Sequence, residues 1–178
     1  MDTLVVNFFG GPGTGKSSTT ASVFSALKWE NINCEMALEF AKDKVWERSA
    51  HVLDNQLYVF GKQYHRIYRL LDQVDVILTD APLLNSILYY SGENPHFNKM
   101  VFEEHRRLRN VNIFLQRLKP YNPSGRLQDE TKAKALDHQI VRILDYLGED
   151  YLTYPADPRS IPMITKQVCL ELFERIYD

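Results

Sequence analysis

Apolar residues fall into two rhythms along this chain. Short unbroken runs at residues 5–9 (VVNFF), 34–39 (CEMALE), 74–80 (VDVILTD) and 111–117 (VNIFLQR), with a shorter one at 151–154, read as strands. VDVILTD is continuous rather than alternating, which predicts a strand covered on both faces, as in a parallel sheet. Between the runs the spacing changes. Leu57, Phe60, Tyr64, Ile67, Tyr68 and Leu71 recur at close to helical intervals within residues 54–71. Further helices are expected in ASVFSALKW, after Pro82, and over residues 97–108, 131–147 and 162–176. Strands alternating with helices predict an α/β fold of three layers, with about five parallel strands, right-handed crossovers and helices on both faces. One segment breaks the rhythm: LKPYNPSGRLQDE is too polar and too rich in Pro and Gly for core. A loop of that length is expected to be a lid, over about residues 117–130, with a disordered segment or an ordinary exposed loop as the alternatives.

Composition narrows the classes. The chain has 178 residues, 44% hydrophobic and 25% charged, with no Pro, Gly or Ser tract between halves, so one domain over residues 1–178 is expected. A net charge of −2 provides no global field that would attract nucleic acid, though a local basic groove fits beneath that average. Cys34 and Cys169 lack CxxC spacing, which suits reduced thiols in a cytoplasm. No apolar stretch approaches the roughly 20 residues that span a bilayer, so a soluble protein without a membrane partner is expected.

The candidate chemistry starts where the first strand breaks into glycines. Residues 10–17, GGPGTGKS, fit G-x-x-x-x-G-K-S/T, the P-loop pattern. Glycines allow dihedrals closed to other residues, so successive N–H groups can turn inward around phosphate oxygens, and the following helix adds its positive end. Lys16 is expected at the β- and γ-phosphates, and the Ser17 hydroxyl on Mg²⁺. The expected nucleotide-binding set is therefore Gly11, Pro12, Gly13, Thr14, Gly15, Lys16, Ser17 and Ser18, with ATP and Mg²⁺ as cofactors.

Carboxylates at strand ends are the next candidates, because α/β sheets present functional side chains just past the C-terminal ends of their strands. Asp80 closes VDVILTD in Walker B form and is expected to hold Mg²⁺ or to orient an attacking hydroxyl; it is equally placed to cap a helix at Ala81-Pro82. Glu39 closes CEMALE, either as a functional acid or as a solvated carboxylate at a helix start. Arg117 follows VNIFLQ at the base of the expected lid and Arg126 lies within it, where closure would bring guanidinium groups onto transferring phosphates.

A P-loop fixes the donor nucleotide and leaves the reaction open. A GTPase switch would carry an NKxD-type guanine reader, and the chain has none. An AAA-type motor ordinarily takes a longer chain, with a helical second domain and an arginine finger for its neighbour. A small kinase needs a compact sheet, a carboxylate near the acceptor hydroxyl and an arginine-bearing lid, places that Glu39, Asp80, Arg117 and Arg126 fill. A non-catalytic or ATP-hydrolysing binding protein is the remaining class.

With these parts assembled, the chain resembles the small P-loop kinases that include thymidylate kinase. GGPGTGKS, EFAK, DVILTD and SGR follow the pattern of the ribosylnicotinamide kinase group. EFAKDKVWE and NQLYVFGKQYHR, with the compact length, look more like the bacteriophage kinases that phosphorylate 5-hydroxymethyl-deoxyuridine in viral DNA during thymidine hypermodification. That resemblance implies transfer of the ATP γ-phosphoryl group to the exocyclic hydroxymethyl of a base, with Glu39 orienting the acceptor and Asp80 the competing choice for base. It further implies DNA containing 5-hydroxymethyluracil as a partner, met through Lys62, His65, Arg66, Arg106, Arg107 and Arg109, in a host cytoplasm. The mildly acidic composition favours a free nucleoside acceptor, such as ribosylnicotinamide. Oligomeric state stays open, a dimer being compatible with the chain.

Overall fold

The computed structural model describes residues 2–122, 124 and 128–173. Strands β1 (Leu4–Phe9), β2 (Cys34–Met36), β3 (Val76–Thr79), β4 (Arg109–Gln116) and β5 (Leu152–Pro155) form one parallel sheet in the order β2-β3-β1-β4-β5. The helices are α1 (Lys16–Trp29), α2 (Phe40–Trp46), α3 (Gln56–Tyr68), α4 (Asn85–Tyr89), α5 (Phe97–Arg106), α6 (Glu130–Leu147) and α7 (Ile161–Phe173). The α/β class and the parallel sheet expected from the apolar runs are those observed.

Strand periodicity builds the three layers, because successive side chains leave a strand on opposite faces. From β1, Leu4, Val6 and Phe8 pack with Val23 and Leu27 of α1 and with Ile164 and Val168 of α7. Val5 and Phe9 point the other way, into a second core with Phe60 and Ile67 of α3, Phe97 and Val101 of α5, and Ile140 and Leu144 of α6. Each fully buried side chain of this kind contributes about 1.5–3 kcal/mol, and all six residues of β1 are buried, so the strand that leads into the glycine-rich loop is anchored in both cores.

Some boundaries differ from the apolar runs. β2 stops at Met36; one more ladder bond, from the Ala37 N–H to the Leu78 carbonyl at 2.9 Å, precedes the turn into α2. Leu38 and Glu39 thus leave the sheet as a loop. Two 3-10 turns, Ala50–Asp54 and Pro158–Ser160, are too short for periodicity to mark. The expected end of the last helix, at residue 176, lies outside the described residues.

The runs VVNFF and VNIFL carry an unexpected buried polar ladder. The Asn7 amide donates to Asn110 Oδ1 at 2.9 Å and to Asn112 Oδ1 at 3.1 Å across the β1–β4 pair. Asn112 in turn donates to Glu149 Oε2 at 3.3 Å, and the same oxygen lies 3.1 Å from Nε2 of the fully buried His105. Buried amides are tolerated because each finds a partner.

Candidate active site

The end of β1 runs directly into the glycine-rich loop, and Gly15 stands at the N-cap of α1. Gly13 takes φ of +76°, and a Cβ there would lie 3.0 Å from the Tyr121 ring, so both backbone conformation and space require glycine. The Lys16 ammonium folds back over the loop, donating to the carbonyls of Gly10 at 2.6 Å and Gly11 at 3.2 Å. An ammonium has three donors, so one remains for a phosphate oxygen. Burial lowers the pKa of Lys16, while the carboxylates of Glu39, Asp80 and Asp137 counter that shift and Arg117 adds to it. The first N–H groups of α1, from Lys16 onward, have no intrahelical partner and carry the positive end of the helix dipole. A cradle of amides with one lysine fits an anionic phosphate tail.

Opposite the loop, the Ser17 hydroxyl donates to Asp80 Oδ2 at 2.5 Å. This closeness follows from topology: β1 and β3 are direct neighbours, so the residues that follow them meet. A hydroxyl and a carboxylate are hard oxygen donors, the set Mg²⁺ prefers, and that ion ordinarily takes few protein ligands beside phosphates and water. Among the described residues there is no cluster of three or more His, Cys, Asp or Glu able to hold a metal. Asp80 is buried, 2% exposed, and its other oxygen accepts the Glu39 N–H at 2.9 Å. Glu39 occupies the N-cap position of α2, but its side chain makes no capping bond. Its charge reaches Tyr89, whose pKa rises through desolvation of the phenol and then through Glu39.

Arg117, just past β4, lies on the outer side of the loop. Its Nη1 donates to the Pro12 carbonyl at 2.9 Å and its Nη2 to the Thr14 hydroxyl at 3.1 Å. The same guanidinium donates from Nε to Asp137 Oδ2 at 2.8 Å and from Nη2 to Oδ1 at 3.2 Å. Asp137, on α6, also accepts the Gly11 N–H at 2.5 Å. Tyr121 packs against Gly13 and donates its hydroxyl to the Gln128 carbonyl, tying both sides of the 117–130 segment to each other. Arg126 and the centre of the expected lid, residues 123 and 125–127, lie outside the described residues. Ser18 is exposed in the first turn of α1.

The residues offered by the sequence, Lys16, Ser17, Glu39, Asp80 and Arg117, thus stand around one loop, and Asp137 beside them is missed. Asp137 sits mid-helix at no motif spacing, so the topological return of α6 is its only signal. Several basic residues offered above to a nucleic-acid backbone are engaged internally. Arg66 pairs with Asp43 and donates to the Leu38 carbonyl at 2.9 Å, Arg107 pairs with Glu104 at 3.1 Å, and Arg109 donates to the Glu171 carbonyl. Lys62 lies over the Tyr58 ring at 5.4 Å.

No helix among the described residues is long and apolar enough to cross a membrane. No curated protein matches the chain. Residues 5–159 match the family model described as AAA domain, which covers the phosphate loop, both carboxylates, Arg117 and Asp137. That match carries a nucleotide-using P-loop domain, and it carries neither the thymidylate-kinase-like nor the ribosylnicotinamide-kinase-like resemblance. On the strength of that match and of the loop at the end of β1, the chain belongs to the AAA domain family of P-loop NTPase-type proteins.

Proposed function

We propose that this protein is a kinase that transfers the γ-phosphoryl group of ATP to a hydroxymethyl group, the acceptor being 5-hydroxymethyluracil in DNA. The observation that carries the reading is the second carboxylate: Glu39 lies beside Asp80, hydrogen-bonded to it through its backbone at 2.9 Å, and acts electrostatically on Lys16. Asp80 accepts from the Ser17 hydroxyl and from the Glu39 N–H, which suits it to the metal side of the corner, and the Glu39 carboxylate at the end of β2 is assigned to the acceptor hydroxyl.

Phe40, which follows Glu39, packs edge-on against Tyr58 with ring centroids 5.6 Å apart, and Tyr58 lines a cavity of about 790 Å³ with His51, Asp54, Asn55, Tyr90 and Ser91. Aromatic walls with a few amides and hydroxyls suit a flat heterocycle.

In the reaction, the acceptor oxygen forms a bond to the γ-phosphorus as the bond to the β–γ bridging oxygen breaks. ADP departs with that electron pair, and the hydroxyl proton passes to the Glu39 carboxylate. Lys16 and the loop amides hold the β- and γ-phosphates in line. Mg²⁺ bound at Ser17 and Asp80 would neutralise developing charge on the phosphates.

A specific feature favours a second reading, a free nucleoside such as ribosylnicotinamide or a deoxynucleoside. The cavity lining holds one carboxylate, Asp54, and among the described residues neither Lys nor Arg, which suits an uncharged or cationic ring better than a nucleotide. A protein that only binds or hydrolyses ATP is the third reading. The experiment is incubation with γ-labelled ATP and, separately, hydroxymethyluracil-containing DNA, unmodified DNA, ribosylnicotinamide and deoxynucleoside monophosphates. Label in the modified DNA alone is the expected result. Label in the nicotinamide product alone rejects the DNA acceptor, and release of phosphate unaffected by any acceptor rejects the kinase.

A further inference from the structure

We infer that Asp137 is a positioning residue for the phosphate loop, acting on it through the Gly11 amide and through Arg117. Its carboxylate takes part in both: Oδ1 accepts the Gly11 N–H at 2.5 Å, and the two oxygens receive Arg117 Nε and Nη2 at 2.8 and 3.2 Å. The pair is largely enclosed, with 10% of the Arg117 side chain and 15% of the Asp137 side chain exposed. From the other end of its fork, Arg117 holds the Pro12 carbonyl and the Thr14 hydroxyl. Three positions of the loop, Gly11, Pro12 and Thr14, are thereby gripped from outside, and α6 approaches so closely that a Cβ on Gly11 would sit 2.4 Å from the Ala133 carbonyl.

Charge makes this arrangement informative. An anion close to a phosphate site opposes nucleotide binding by simple Coulomb repulsion, and Asp137 is near enough to act on the Lys16 ammonium. Its cost to affinity is offset by Arg117, and in exchange the guanidinium is directed at loop backbone. The pair as a unit is neutral: it contributes placement of the loop, and no attraction for the nucleotide. Arg117 opens the 117–130 segment and α6 follows it, so the pair also fastens the two ends of that segment to the loop. None of this depends on which acceptor is used.

The test is Asp137→Asn in the full chain, read by titration with a fluorescent ATP analogue without acceptor, by ATP turnover to acceptor or to water, and by melting temperature. The expected result is a split. Nucleotide binds about threefold or more tightly at low salt, because an anion is gone and Arg117 is released, and the gain shrinks in high salt. Turnover falls about tenfold or more, because small misplacements of the phosphates are costly. Asp137→Glu, which keeps the charge, restores the wild-type affinity. Affinity, turnover and melting temperature falling together would reduce Asp137 to a structural brace, and no change in any of them would make the pair idle; either outcome overturns the inference. Should Asp137→Asn fail to fold, Arg117→Lys keeps the charge and loses the fork, and is expected to bind nucleotide within about twofold of wild type with reduced turnover; unreduced turnover overturns the inference equally. Because binding is read without an acceptor, failure of the kinase reading leaves this result standing.

Discussion

The backbone N–H of Glu39 donates to the Asp80 carboxylate at 2.9 Å, joining the ends of two adjacent strands into one acidic corner beside the phosphate loop. One oxygen of Asp80 serves Glu39 and the other serves Ser17, so the two acids are not interchangeable.

Glu39→Gln separates their roles. It keeps the backbone bond to Asp80 and removes the proton acceptor, so kcat is expected to fall by about 10²–10⁴ with nucleotide affinity nearly unchanged. Steady-state phosphoryl transfer beside equilibrium nucleotide binding checks this. A variant with wild-type kcat would return the role of base to Asp80.

Asp80→Asn acts on the other side of the corner. Ser17 loses its carboxylate partner, and the Mg²⁺ concentration giving half-maximal turnover is expected to rise about tenfold or more. A Mg²⁺ titration at saturating ATP gives the measurement. An unaltered requirement would show that Asp80 does not contribute to the metal.

Lys16→Ala removes the ammonium lying over Gly10 and Gly11. Phosphoryl transfer should drop by about 10² or more, while circular dichroism and melting temperature remain close to wild type. Retained activity would sink the phosphate-loop assignment.

Gly11→Ala tests the approach of α6. Its Cβ would lie 2.4 Å from the Ala133 carbonyl and 2.8 Å from the Asp137 carboxylate, so overpacking should cost about 1–3 kcal/mol, read as a lower denaturant midpoint. A stability equal to wild type would mean that α6 moves aside freely.

Stability should also depend on pH through His105. Burial lowers the pKa of His105 below 6.5, with the Glu149 carboxylate opposing that shift. The unfolded chain takes up the proton first as pH falls through about 6.5, so this contribution is complete above that value and is lost on acidification, by up to about 1.4 kcal/mol per pH unit. Denaturant unfolding between pH 7.5 and 5.5 checks it, with His105→Gln expected to flatten the slope. An unchanged slope in that variant would assign the acid sensitivity to other groups.

Much of this was legible in the sequence for identifiable reasons. VDVILTD announces a strand buried on both faces because its apolar run is unbroken, and GGPGTGKS announces its loop because few other backbones need glycine at such spacing. That Glu39 and Asp80 lie side by side is legible because parallel sheets gather strand ends at one edge. For Arg117 the place beside the loop is legible but its partner is not, since Asp137 stands twenty residues further on, within α6. The polar ladder was hidden because Asn7 and Asn112 interrupt runs whose neighbours dominate the pattern. Motif logic addresses what touches phosphate; it is blind to residues whose only function is to hold the loop from behind.

Those buried amides govern where the two strands stop relative to each other. Asn7 is paired with Asn112 in the β1–β4 register, which also sets Phe9 against Phe114. A slip by one residue would turn the asparagines of one strand toward the opposite core and leave their hydrogen bonds unmade. The ladder therefore works as an alignment key: by opposing a one-residue slip, it helps Arg117 emerge level with the loop it grasps, a placement set by side chains that lie away from the loop itself.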